Sequence, residues 1–192
     1  MKSIKLVTVF TVVIFLVPGC VSSNPSFHGV DMDELSPYNF TLKDQSGELW
    51  SLEDSKGKVV VLAFIYTSCD DVCLAISSNL KWVKQQLTDS ELKNITFVSV
   101  TIDWKRDSPS VLENWTNDLG LDWPHLTEWN SEELLNSYSH YDIEPYNDET
   151  YDELHLQPTF ILDTNLNARV MWKEFDWPVD LFLDDLRKVV EL

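Results

Sequence analysis

The stretch "KVVVLAFIYTSCDDVCLAISSNL", Lys58–Leu80, decides the fold. Its first half, Val59–Ile65, is an unbroken apolar and largely β-branched run, the pattern of a strand buried on both faces. The run gives way to Cys69, three residues intervene, and Cys73 opens a segment in which Ile76, Leu80, Val83 and Leu87 recur at helical spacing. "NITFVSVTI", Asn94–Ile102, then reads as a second buried strand. The three pieces form a β-α-β unit whose turn into the helix carries both cysteines.

Working outward, "YNFTLKDQSGELWSL", Tyr38–Leu52, alternates apolar and polar residues on both sides of Gln45-Ser46-Gly47 and predicts a hairpin. On the other side, Ser108 and Pro109 suit the cap and first turn of a helix carrying Val111, Trp115 and Leu119. Asn130 with Glu133 suits the start of a shorter helix through Tyr138. The acidic segment Tyr141–Glu153 reads as an exposed loop that delivers His155 to the next strand. "PTFILD" and "ARVMWKEF" flank "TNLN" as a second hairpin. "VDLFLDDLRKVVEL" closes the sequence as an amphipathic helix with Phe182, Leu186 and Val189 on one side.

The 192 residues are enough for one domain with its own core, and 44% apolar content with 8 Trp and 9 Phe supplies the bulk to fill it. Lys2 and Lys5 precede an uncharged run from Leu6 to Val17, then Gly19 and Cys20, which is the outline of a signal peptide over 1–19. As a helix, twelve residues reach only ~18 Å against a hydrocarbon core of ~30 Å, too short for a permanent span. "LVPGC" resembles a lipoprotein cleavage box, which makes Cys20 the lipid-modified first residue of the mature protein. Residues 20–36 are polar, lack periodicity and suit a flexible tether, leaving 37–192 as the domain.

Without 1–19 the sequence keeps 12 basic against 32 acidic residues, a formal charge of −20. Such a surface repels phosphates, so nucleic acid is excluded as a partner, and the acid reads as a solvated face. If Cys20 carries lipid, the pair left for chemistry is Cys69 and Cys73.

An inert disulfide is one reading of that pair in an exported protein. A bridge closing so short a loop removes little unfolded-state entropy, however, so reactivity explains a pair at a strand-to-helix turn better. The helix start favours thiolate, while Asp70 and Asp71 oppose it. Helical residues four apart hold Cβ atoms ~5–6 Å apart, wider than the ~3.5–4.5 Å of a relaxed disulfide. A Cys69 just ahead of the helix therefore lets a small movement switch the pair between a disulfide and an open two-thiolate clamp. Two thiolates suit a soft ion, and a third ligand would complete a low-coordinate Cu(I) site. Of the four histidines, His28 falls in the tether and His125 and His140 face no evident motif. His155 is the best placed, ahead of the strand that runs beside the cysteine turn in a thioredoxin-like sheet.

"FIYTSCDDVC" resembles the F-x-Y-T-x-C-P-D-x-C-P signature of the Sco/SenC copper chaperones, and "VSVTIDWKRDSP" resembles that family's V-S-x-T-V-D-P-E-R-D-T-P segment. "HLQPTFILD" keeps the family spacing from ligand histidine to the aspartate ending the next strand. The likeness runs from about Tyr38 to the C-terminus, with Asp70, Leu74, Trp104 and Leu154 departing from it. It implies an α/β, thioredoxin-like fold, a central mixed sheet flanked by helices with an N-terminal hairpin extension. It also implies copper, Cu(I) and also Cu(II), on Cys69, Cys73 and His155, with Asp71, Asp103, Arg106 and Asp107 as supporting structure. "QPTF" further resembles the cis-proline turn of thioredoxins, which would set Pro158 against the cysteines.

The resemblance thus implies a metallochaperone held at the extracytoplasmic face of the cell membrane by its lipid. It would deliver copper to, or reduce the cysteines of, the dinuclear CuA site of cytochrome c oxidase subunit II or another copper acceptor, with a thiol reductant as second partner. The competing expectation is an enzyme, a thiol-disulfide oxidoreductase that uses Cys69 and Cys73 without metal.

Overall fold

The computed structural model describes residues 26–69, 71–146, 157–173 and 176–192. Its elements run β1 (Val30–Leu35), β2 (Thr41–Lys43), β3 (Leu49–Ser51), β4 (Val59–Ile65), α1 (Val72–Gln86), α2 (Asp89–Leu92), β5 (Ile95–Thr101), α3 (Pro109–Leu119), β6 (His125–Leu126), α4 (Glu132–His140), β7 (Thr159–Leu162), β8 (Ala168–Trp172) and α5 (Val179–Val190). The main sheet has the order β1-β8-β7-β4-β5-β6. Strands β4, β5 and β6 are parallel, whereas β7 joins β4, β8 joins β7 and β1 joins β8 antiparallel. This is the expected mixed sheet flanked by helices.

The apolar run of the opening stretch is the middle of that sheet, with every residue of β4 buried. Strand β5 pairs with it from Val59↔Ile95 to Ile65↔Thr101, so their C-terminal ends finish level. Helix α1 returns between them with Ile76, Leu80 and Val83 buried, and α5 packs against α1 through a face that includes Phe182, Leu186 and Val189. The first hairpin, β2-β3, turns where Asp44 Oδ1 accepts from the backbone N–H groups of Ser46 and Glu48, and Gly47 takes the left-handed φ of 84°. It is tied to the main sheet by paired backbone bonds between Lys43 and Thr127.

Four local expectations are corrected. The stretch read as a tether is structured from Ser26 onward where described, and Val30–Leu35 is an edge strand on β8. Its attachment is long-range: the backbone N–H groups of His28 and Gly29 donate to the buried Asp185 carboxylate of α5, and Lys188 donates to the Ser26 carbonyl. Gly29 permits the approach, since a Cβ there would lie 2.7 Å from both Trp172 Nε1 and Val170 Cγ1. Asp33 and Glu34, at φ 47° and 60°, break the register, and with Asp31 they put charge and a bulge on the free edge, which discourages further strand addition.

Helix α3 has the expected cap, Ser108 accepting from Val111 N–H with Pro109 in the first turn, but buries Leu112 and Thr116 and leaves Val111 exposed. The next helix is capped by Ser131, not Asn130. Asn130 adopts φ 47° in the turn before it, and Glu133 accepts instead from the Thr41 backbone N–H. Finally, no peptide bond among the described residues is cis, so Pro158 is not a cis-proline. It precedes β7, where its missing N–H costs no ladder bond, and its carbonyl accepts from Phe64 N–H at 3.4 Å.

Candidate metal centre

The chain leaves β4 at Ile65 and enters α1 at Val72, and both cysteines sit in this crossover. Asp71 is the N-cap of α1, its Oδ1 accepting from Val72 N–H at 2.6 Å. Cys69 stands just ahead of the helix and Cys73 in its first turn, as the two-state clamp requires. Both are buried and unlinked. Cys69 Sγ accepts from the Cys73 backbone N–H at 3.2 Å and lies 3.6 Å from Asp71 Oδ1, while Cys73 Sγ accepts from Tyr66 N–H at 3.4 Å.

These contacts split the two thiols. Hydrogen bonding from the Cys73 side chain, helped by backbone N–H groups of Cys73 and Asp71, lowers Cys69 to about 7 in spite of burial and the Asp71 charge. Burial, the neighbouring Cys69 and the Asp107 and Asp71 charges push Cys73 far above the ordinary thiol range. Near neutral pH Cys69 is thus about half thiolate while Cys73 is a thiol. Alkylation by iodoacetamide is expected to modify Cys69 first, at a rate that climbs through pH 7 and levels above about pH 8, when an ordinary thiol with pKa ~8.5 is still gaining. Equal labelling of both cysteines at pH 7, read by peptide mass mapping, would contradict the split.

The second motif lies at the level end of β5. Asp107 is fully buried and accepts from Thr67 N–H at 3.0 Å, Thr67 Oγ1 at 2.5 Å and Thr101 Oγ1 at 2.5 Å. One carboxylate thereby binds the loop two residues before Cys69 to the end of β5. Asp107 is raised from the ordinary carboxylate range, burial outweighing the three bonds. Asp103 accepts from Arg106 Nε and, among the described residues, from nothing in the thiol loop, and its own N–H donates to Thr101 Oγ1. The Arg106 guanidinium lies 4.0 Å from the centre of the Tyr146 ring, which packs 5.3 Å from Tyr66.

Thr67, Thr101 and Tyr146 are therefore part of the assembly, and sequence reading singled out none of them. Thr67 stood in plain view within the Y-T-x-C motif, but nothing local to Thr101 or Tyr146 marks them. Cys20, Asp70 and His155 lie outside the described residues. The segment holding His155 nevertheless has both flanks attached near the thiols: Tyr146 N–H donates to the Ile102 carbonyl at its start, and the Pro158 carbonyl accepts from Phe64 N–H after its end.

The other histidines are engaged elsewhere. His125 is wholly buried, stacked 5.5 Å from Trp123, with Nδ1 bonded to the Trp123 carbonyl. His140 Nε2 is 2.7 Å from the Ser36 carbonyl. His28 Nε2 pairs with Asp184 at 2.9 Å, and with Asp185 these form the one cluster of histidine and acid side chains among the described residues close enough to share an ion. Lys188 bridges both acids and backbone N–H groups fill Asp185, so this cluster is the clamp for the N-terminal segment.

The SCO1/SenC family model matches residues 32–191. A SCO1 protein homolog of Bacillus subtilis is 26% identical over 137 residues, 70% of this chain and 68% of that relative. BsSco, described as a member of the Sco family of cytochrome c oxidase assembly proteins with a disulfide switch, matches with a TM-score of 0.71 and 20% identity over 87% of this chain and 98% of its own. Yeast Sco1, solved with copper bound, matches with a TM-score of 0.66 and 21% identity over 81% of this chain and 94% of its own. At such identities the solved structures establish a thioredoxin-like fold, and the family model, covering far more than half of the sequence, establishes kinship. The chain belongs to the SCO1/SenC family.

Proposed function

We propose that the protein is a copper-binding metallochaperone of cytochrome c oxidase assembly, holding copper through Cys69, Cys73 and His155. The observation that carries this reading is the unlinked thiol pair, with Cys69 lowered to about 7 at the helix start. Soft sulfur donors select a soft monovalent ion, and an imidazole extends the site to Cu(II). Copper bound there supplies the cargo; the chain supplies the thiolate at Cys69, a second sulfur at Cys73 whose proton must leave, and the imidazole. His155 is three residues before Pro158 in the sequence. Asp107, through Thr67, acts as support that holds the Cys69 loop, with Asp71 as cap and Asp103 and Arg106 bracing the second motif. The acceptor we assign is the dinuclear CuA site of subunit II.

One observation favours a second use of the same pair. A low-pKa thiol beside a high-pKa thiol suits exchange: Cys69 thiolate attacks one sulfur of a partner's disulfide, and the other sulfur departs as thiolate. Cys73 then loses its proton and displaces the partner, closing Cys69–Cys73. Two electrons pass to the partner, whose cysteines emerge reduced, and a thiol reductant must reopen the bridge.

His155→Ala separates the two uses. Disulfide exchange with a small thiol is expected to persist within about tenfold, ~1.4 kcal/mol, because both sulfurs remain. Copper retention is expected to fall, most for Cu(II), when both ions are titrated against chelators on the same preparation. Unchanged copper affinities would remove His155 from the site, and loss of exchange alone would favour the oxidoreductase.

We further propose that 1–19 is cleaved and that Cys20 bears the lipid, leaving a short linker before the described segment. Among the described residues no helix is long and apolar enough to cross a membrane. Mass spectrometry of detergent-extracted protein is expected to give a chain starting at Cys20 with added acyl mass, and another N-terminus would overturn the lipoprotein reading.

A further inference from the structure

The sequence has three methionines, of which Met1 belongs to the leader, and the remaining two meet in one place. Met32 of β1 and Met171 of β8 line a cavity of about 220 Å³ together with His140, Tyr141 and Pro158. The strand pairing brings them close: Val30 lies opposite Met171, Met32 follows two residues on at the start of the register shift, and both methionines line the cavity. Both methionines are only partly buried against the core, and both line the cavity.

His140 brings a nitrogen prepared for ligation. Its Nε2 faces the Ser36 carbonyl at 2.7 Å, and because a carbonyl can only accept, Nε2 carries the hydrogen. In the neutral ring Nδ1 then keeps its lone pair. An imidazole whose outer N–H is anchored on a backbone carbonyl is the arrangement by which proteins orient a ligating histidine. His140 is also the last residue of α4, where the carbonyl end of the helix favours a cation.

We propose that Met32, Met171 and His140 form a second metal site that takes a soft monovalent cation, Cu(I) or its probe Ag(I). Two thioethers and one imidazole are all neutral, so the bound ion leaves a single positive charge in a pocket walled by Leu35, Tyr141 and Pro158, far easier to bury than a divalent ion. Thioether sulfur also selects against Zn(II), Mg(II) and Ca(II), which prefer harder or charged donors. Asp142 and Lys173, the charged residues lining the cavity, offset one another.

The placement suggests what such a site does. Pro158 belongs to its wall and bonds to Phe64 near the end of β4, and Tyr141 packs 5.7 Å from the same Phe64. The thiols leave that strand end a few residues later. The methionine site therefore lies at the same end of the sheet as the thiol pair and holds the same kind of ion more weakly, as an entry station for it. Only the identity of the physiological ion rests on the copper reading above. The site itself is tested with the thiols removed.

The experiment uses the chain with Cys20, Cys69 and Cys73 all replaced by Ser and its methionine methyl groups labelled with ¹³C, titrated with Ag(I) in thiol-free, chloride-free buffer. The Met32 and Met171 methyl resonances are expected to move together and saturate at one equivalent, and Zn(II) is expected to leave them in place. Met32→Leu and Met171→Leu, which conserve volume and so preserve the fold, are each expected to weaken silver binding at least tenfold. Methyl resonances that stay still at stoichiometric Ag(I), or leucine variants that bind silver like their parent, overturn the proposal. Failure here leaves copper binding by the intact thiol chain untouched, so the two readings fail separately.

Discussion

Asp107→Ala is expected to destabilise the domain by about 3 kcal/mol, from a half-buried backbone N–H left without its acceptor and two hydroxyls left to find new ones. The three bonds arrive from Thr67 and Thr101, 40 and 6 residues away, so the effect is tertiary and not confined to one turn. For a domain of this size ~3 kcal/mol lowers Tm by roughly 10 °C. Asp107→Asn keeps one carbonyl acceptor and offers an amide to a hydroxyl, so about half the loss is expected. The same variants report on the site: with Thr67 released, Cys69 should alkylate faster while the ellipticity of the folded protein stays unchanged. Urea unfolding that shows less than about 1 kcal/mol for Asp107→Ala would mean that the carboxylate does not hold the thiol loop.

The second large effect is acid sensitivity centred on His125. Burial lowers this imidazole to about 4, against 6.5 for an exposed histidine, and its Nε2 is buried without a hydrogen-bond partner among the described residues. Between those values the unfolded chain binds the proton and the folded one does not. Stability is therefore whole above about pH 6.5 and drains away as pH falls towards 4, by about 3 kcal/mol in all. Paired carboxylates also weaken the fold in acid, so the measurement is a difference between wild type and His125→Phe, unfolded in urea at pH 7 and at pH 4.5. Phe fills the slot between Trp115 and Trp123 and cannot be protonated. The variant is expected to lose stability less steeply than wild type; parallel profiles would show that His125 titrates normally.

Much of the candidate site was legible because its chemistry is local. The spacing from Cys69 to Cys73 and the apolar period that follows depend on a few adjacent residues, and the motif with Asp103 and Asp107 is one loop after one strand. What joins those loops was not legible. Thr67 and Asp107 are far apart in sequence, and they meet because β4 and β5 run parallel and end level. His155 was named from spacing and resemblance and lies outside the described residues, so its place in the site remains a proposal. The helix faces show the same division: in α3 the cap at Ser108 followed from side-chain chemistry, whereas the choice of Leu112 over Val111 as the inward residue depended on where the sheet lies.

The sequence by itself determined the β-α-β core, both hairpins, the closing amphipathic helix and the position of two thiols at a helix start, since periodicity, turn residues and capping act over a few positions. Only the tertiary structure decided that Val30–Leu35 is a strand, because a polar segment with no apolar period is held by the Asp185 carboxylate and the β8 edge more than 130 residues away. It alone decided which cysteine is the thiolate, because the two differ in burial and in the N–H groups around each sulfur. It alone brought Met32, Met171 and His140 to one cavity, since strand register and a carbonyl at Ser36 place them, and neither can be read from neighbours along the chain.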